Sequence, residues 1–158
     1  MKIIFTLFTA MGISMAAIAA ESSILQSLPG EYVRDEAKVE SSLCPSQVTI
    51  AAAPNLGPDS FSIYSGESSV GNMSKLWDYQ SYISDINKPG KQSGDYIDTT
   101  TLANNKIVMT NLQVSTNCLI TEQFQIVDEE LEYTSTMSGK KCNKNILATA
   151  TCFFQKPQ

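Results

Sequence analysis

From residue 30 onward, apolar and polar positions alternate in short runs broken by Gly, Pro, Asn and Asp. A period of two predicts β-strands with one buried face, and the breaks predict tight turns. Residues 21–28 read as a short polar leader, and Leu28-Pro29-Gly30 opens a first strand, Glu31-Tyr32-Val33-Arg34. A charged loop follows over 35–42. Val48 and Ile50 then share one strand face, up to the break at Pro54-Asn55-Leu56-Gly57-Pro58-Asp59. Phe61 and Ile63 begin another short strand, closed by Ser65-Gly66. Residues 66–94 fit no single period. Met73, Trp77 and Ile83 approximate helical spacing, while the Trp, Tyr and Ile content suits a strand. The stretch is read as an irregular excursion with a short helical turn, ended by the loop 87–91.

The second half yields to register arithmetic. A tight turn at Asn104-Asn105, residues that tolerate positive φ, sets Ile97, Thr99 and Thr101 opposite Leu112, Thr110 and Val108. The other face then carries Tyr96, Asp98, Thr100 and Leu102 with Gln113, Asn111, Met109 and Ile107. A turn at Asp128-Glu129 likewise sets Ile126 opposite Leu131, Phe124 opposite Tyr133, Glu122 opposite Ser135 and Ile120 opposite Met137. A slip of one residue would destroy every pairing, so the match itself argues for the hairpin. A last strand over about 146–154 places Ala148, Ala150, Cys152 and Phe154 on one face. Seven or eight antiparallel strands in sequence predict an all-β, antiparallel up-and-down β-barrel of about eight strands, with a β-sandwich as the alternative. An even count would pair the last strand with the first and leave no exposed edge.

The N-terminus changes where this domain is expected to work. Lys2 precedes an apolar run from Ile3 to Ile18 that ends in Ala16, Ala17, Ala19 and Ala20, ahead of Glu21-Ser22-Ser23. This order reads as a secretory signal peptide over 1–20, leaving one domain over 21–158. No Cys stands near the cleavage site to carry a lipid, and no later run approaches the length of a membrane span. A periplasmic or secreted monomer is expected.

Charge and composition then remove function classes. Loss of Lys2 with the leader makes the domain one unit more negative than the full chain's −5. An acidic chain with only a small basic tip, Lys140, Lys141 and Lys144, is a poor partner for nucleic acid or anionic lipid. There is no histidine. Ser–His and Cys–His hydrolysis and His-ligated zinc are therefore excluded. Asp95 and Asp98 lie on opposite strand faces and Asp128-Glu129-Glu130 is a solvated turn, so neither group forms a glycosidase pair. No catalytic residue, cofactor or metal site is expected, and the chain is read as not an enzyme. Asn72-Met73-Ser74 is a glycosylation sequon, but the Ala-rich leader is of bacterial type and the sequon is read as silent.

Four cysteines in an exported chain imply disulfides, with three possible connectivities. The second hairpin places Cys118 opposite Gly139 and close to Cys142. That favours Cys118–Cys142 and leaves Cys44–Cys152. Strand parity allows another outcome: it puts the Cys44 loop at the Cys118 end, so Cys44 could instead take one of those partners and leave Cys152 a thiol. A redox or metal site has no C-x-x-C spacing to support it.

Glu122 carries the most information about function. It shares a face with Cys118, Ile120, Phe124 and Ile126, where a carboxylate has to be paired, solvated or neutral. It is either a polar handle inside a binding barrel or a structural group satisfied by Ser135 and a nearby hydroxyl. Trp77, Tyr79 and Tyr82 form an aromatic cluster outside the regular strands, a binding face or a cap on the core.

Leu28-Pro29-Gly30-Glu31-Tyr32 resembles the entry motif of lipocalin-like (calycin) small barrels, in which Gly and an aromatic open the first strand; Tyr32 stands where tryptophan is usual. The resemblance covers the meander from Gly30 to Phe154. It implies an eight-stranded barrel that binds a small apolar ligand. Two readings follow. The first is an interaction or inhibitor-type envelope protein, acting on a protein partner through loops such as 66–94 and 139–145. The second is a carrier of a small apolar ligand, with Glu122, Phe124, Tyr133 and Trp77 as ligand-binding residues. An interior filled by its own side chains favours the first, and an open cavity above about 300 Å³ the second.

Overall fold

A computed structural model describes residues 24–38, 43–65, 81–139, 141–142 and 149–157. The strands are β1 (Gly30–Arg34), β2 (Gln47–Ala52), β3 (Phe61–Tyr64), β4 (Ser81–Ile83), β5 (Lys91–Ser93), β6 (Tyr96–Ala103), β7 (Lys106–Gln113), β8 (Cys118–Val127), β9 (Glu130–Ser138) and β10 (Ala150–Gln155). They form one antiparallel sheet in the order β4-β3-β2-β1-β10-β9-β8-β7-β6-β5. The fold is all-β. A single sheet replaces the sandwich alternative, and ten described strands replace the seven or eight expected. The two additional strands, β4 and β5, have three residues each and fall in the excursion expected over 66–94. Residues 66–80, including its anticipated helical turn, lie outside the described residues.

Both hairpin registers match the pairings expected from the sequence. Ile97 faces Leu112, Thr99 faces Thr110 and Thr101 faces Val108. Phe124 faces Tyr133, Glu122 faces Ser135 and Ile120 faces Met137. Both central residues of each turn have positive φ: Asn104 at 52° and Asn105 at 58°, then Asp128 at 51° and Glu129 at 68°. This backbone twist matches that of the flanking strands, which is why a two-residue connection suffices.

The meander comes back on itself, with β10 pairing with β1 through Arg34–Phe154 and Val33–Gln155. The ladder is interrupted at one place, between β4 and β5, where no pairing joins them among the described residues. Asn87, in the connecting loop, partly substitutes for the missing strand. Its backbone N–H donates to the Thr100 carbonyl at 2.8 Å, and its side-chain oxygen accepts from the Leu102 N–H at 2.8 Å. Two edge groups of β6 are thereby satisfied that would otherwise need solvent or another chain.

One end of the sheet's inner face is packed with apolar side chains. Tyr32, Val48, Phe61, Ile83, Leu102, Ile107, Phe124, Leu131 and Phe154 are all buried there. Residues 24–28, expected as a polar leader, instead form a helical turn whose Ile24 and Leu28 are wholly buried. Their four-residue spacing puts both on one side of the turn, which tucks them into the core. The Tyr32 hydroxyl donates toward the carbonyls of Leu28 (2.8 Å) and Ser27 (3.0 Å), fixing this turn to β1.

Two disulfides join Cys44 to Cys152 and Cys118 to Cys142. The parity objection to the first bridge does not hold, because Cys152 is only the third residue of β10 and so lies near the end where the β1–β2 connection passes. Arg34 helps to hold that connection, donating through Nη1 to the Cys44 carbonyl. At the second bridge, Gly139 has φ 131°, and a Cβ there would collide with the Asn117 carbonyl oxygen. Only glycine permits that approach.

Candidate functional site

The inner face changes character along its length. Successive cross-strand rows run Cys152–Tyr133–Phe124–Ile107–Leu102, then Ala150–Ser135–Glu122–Met109–Thr100, then Met137–Ile120–Asn111–Asp98–Lys91. The first row is apolar and closed. The second introduces a carboxylate and two hydroxyls, and the third carries an amide and two opposite charges. A cavity of about 510 Å³ lies over the second and third rows, reaching the loop between β4 and β5. Its wall includes Met109, Ile120 and Glu122 on the strands and Asp85, Lys88 and Lys91 at the seam.

Glu122 points into this inner face, as its register required. Tyr133 donates its hydroxyl proton to Glu122 Oε1 at 2.6 Å. Phe124 stands beside it, its ring tilted against that of Tyr133 with centroids 5.0 Å apart. Burial, then the negative charge of Glu122 and the hydrogen bond to it, push the Tyr133 pKa up; a hydrogen bond with Ser135 acts the other way. The tyrosine therefore remains a proton donor through the ordinary pH range. A hydroxyl thus satisfies one Glu122 oxygen, and the residue lines the cavity.

Three of the charged residues around the cavity, Asp85, Lys88 and Asp98, have defined partners. Lys88 bonds Asp85 at 2.8 Å, and this bond lowers the Asp85 pKa. Asn111 donates to Asp98 Oδ1 at 2.6 Å. Asp95, dismissed as an acid catalyst from its face, has a structural role: it accepts from the Ser115 N–H at 2.9 Å and the Ser115 hydroxyl at 2.5 Å. These bonds lower its pKa and hold the β7–β8 turn.

Of the residues expected to line a ligand site, Glu122 lines the cavity, while Phe124 and Tyr133 stand beside it in the closed row and are fully buried. Trp77 and Tyr79 lie outside the described residues. Tyr82 is on β4, 45% exposed, at the margin of the cavity. Sequence reasoning missed Met109, Asn111 and Asp98 as neighbours of Glu122. The first hairpin had placed these three on one face, and the second had placed Glu122. Pairing β7 with β8, Met109 opposite Glu122, joins the two sets.

A larger groove of about 1140 Å³ crosses the packed end near Asp128, Glu129 and Glu130. Lys38 there is taken by Glu130 at 2.7 Å. Among the described residues no group of three or more His, Cys, Asp or Glu side chains is arranged to hold a metal ion, and no helix is long and apolar enough to cross a membrane.

No family model matches the chain, and no curated protein matches it. Among solved structures, the chain is similar to a crystal structure of a point mutant of the fluorescent protein UnaG. The identity is 11%, the match covers 88% of each chain, and the TM-score is 0.46. This degree of likeness carries no information on ligand or activity.

Proposed function

We propose that this chain is an exported, monomeric binding protein that takes a small amphipathic molecule into the cavity beside Glu122. The observation that carries this reading is the cavity itself. Its volume of about 510 Å³ falls within the range of small-molecule sites, and its wall is mostly polar and charged, with Met109, Ile120, Tyr82 and Pro89 supplying the apolar surface. The polar third row argues for an amphipathic ligand in place of a purely apolar one. The two disulfides fit an oxidising compartment outside the cytoplasm. Removal of residues 1–20 on export belongs to the same proposal. The interaction or inhibitor reading relied on loops 66–94 and 139–145, much of which lies outside the described residues, and no specific observation favours it.

Native mass spectrometry of the protein purified from its own source tests the proposal. A bound small molecule, released by denaturation, is the expected result. A stoichiometric protein partner and an empty cavity would overturn it in favour of the interaction reading.

A further inference from the structure

We infer that the ligand of this cavity carries a protonated amine and that Glu122 is the residue that selects it. The inference rests on the binding reading above and names the chemistry of the same site. A carboxylate offers about four lone-pair positions. Among the described residues, Glu122 receives one hydrogen bond, from Tyr133. Its cross-strand neighbours Ser135 and Met109 do not supply another: the Ser135 hydroxyl engages Tyr133, and Met109 has no donor. The carboxylate thus keeps acceptor capacity beyond this bond, on a residue that lines the cavity.

The other charges set the orientation. Asp85 is paired with Lys88, and Asp98, which accepts from Asn111, stands opposite Lys91 on β5, whose positive charge offsets its pull on a cation. Lys91 stands on the seam side, where its charge disfavours an ammonium group, while Lys88 there is neutralised by Asp85. Glu122 therefore attracts a cation at the wall while Lys91 disfavours one at the seam. Met109 and Ile120, beside Glu122 on the same face, offer apolar surface to the carbon chain that follows. A hydrogen bond between ammonium and carboxylate is charge-assisted and about twice as strong as a neutral one, so charge at the ligand head should dominate selection.

The test uses three probes of one shape that differ in head charge: hexylammonium, hexanol and hexanoate. Each is titrated into the full mature protein while the methyl signals of Met109 and Ile120 are followed by NMR. Hexylammonium is expected to bind about tenfold more tightly than hexanol, with hexanoate weakest. Glu122→Gln, which keeps an acceptor for Tyr133, should bring hexylammonium down to the level of hexanol without changing hexanol binding. Tyr133→Phe, which leaves the carboxylate in place, should retain the preference for the amine. Equal binding of hexylammonium and hexanol at these methyls, or an amine preference that survives Glu122→Gln, would overturn the amine inference and leave the cavity reading standing. Absence of any response from either methyl with all three probes would overturn both.

Discussion

The two ends of the inner face are built from the same strands, yet they solve opposite problems. Toward the turns at 104–105 and 128–129, the rows close on themselves with Phe124, Leu131, Ile107 and Leu102, and the turn at 24–28 inserts Ile24 and Leu28. Toward the β4–β5 seam, the same strands present Glu122, Asn111, Asp98 and Lys91 around an open volume. Filling an apolar face stabilises a fold, whereas leaving a polar face unfilled creates a place for something else. The contrast therefore separates where this chain gains its stability from where it gains its function.

The disulfides give the strongest way to break that division. The Cys44–Cys152 bridge has both sulfurs buried and closes a loop with a sequence separation of 108, against 24 for Cys118–Cys142. Loop-closure entropy then gives roughly 4–5 kcal/mol for the first and roughly 3 kcal/mol for the second. Denaturant melts of the Cys44→Ala/Cys152→Ala and Cys118→Ala/Cys142→Ala pairs check this. A larger loss from the second pair would place more of the stability at the open end.

Single truncations should divide the same way. Phe124→Ala, at a fully buried position, is expected to cost about 3–5 kcal/mol. Met109→Ala, on the cavity wall, should cost about 1 kcal/mol or less, because its side chain already borders open volume. Equal losses in equilibrium unfolding would mean that the wall is packed as tightly as the core.

Alkaline unfolding probes two buried tyrosines. Burial pushes the Tyr32 pKa up to about 12, and burial with Glu122 raises that of Tyr133. A raised folded pKa means that the native state holds its proton longer than the unfolded chain. The associated stability is complete below the unfolded value near pH 10 and is lost as pH rises toward and through the folded value. Stability should therefore fall above about pH 10, and Tyr133→Phe should soften the decline. A pH-independent midpoint between 10 and 12 would contradict the burial of these hydroxyls.

A smaller effect is expected at the seam. Asn87→Ala removes the side-chain acceptor of the Leu102 N–H and should cost about 1–2 kcal/mol. Amide exchange at Leu102 should accelerate while Ile107, on the neighbouring strand, keeps its protection.

The hairpins β6–β7 and β8–β9 were legible because period, turn residues and pairing agree at every step, with Asn104-Asn105 and Asp128-Glu129 supplying the positive φ. The Cys118–Cys142 pairing followed from that register. β5 was illegible for the opposite reason. Lys91, Gln92 and Ser93 are all exposed and carry no apolar signal, so pairing with β6 makes the strand. Residues 24–28 were misread because two apolar residues, one helical turn apart, do not make a pattern until a core receives them. The candidate site was half legible. Glu122 and its contact with Tyr133 followed from one hairpin, but the cavity needs the β7–β8 ladder and the seam, which join segments the local pattern treats separately.

The most direct test of the two-ended interior is magnetisation transfer from water to methyl groups, measured on the folded protein. Met109 and Ile120 should receive transfer from water held in the cavity, while Ile107 and Leu131, both fully buried, should receive none. Dry signals at all four methyls would contradict an open cavity beside Glu122. Transfer at all four would contradict a closed core at the other end.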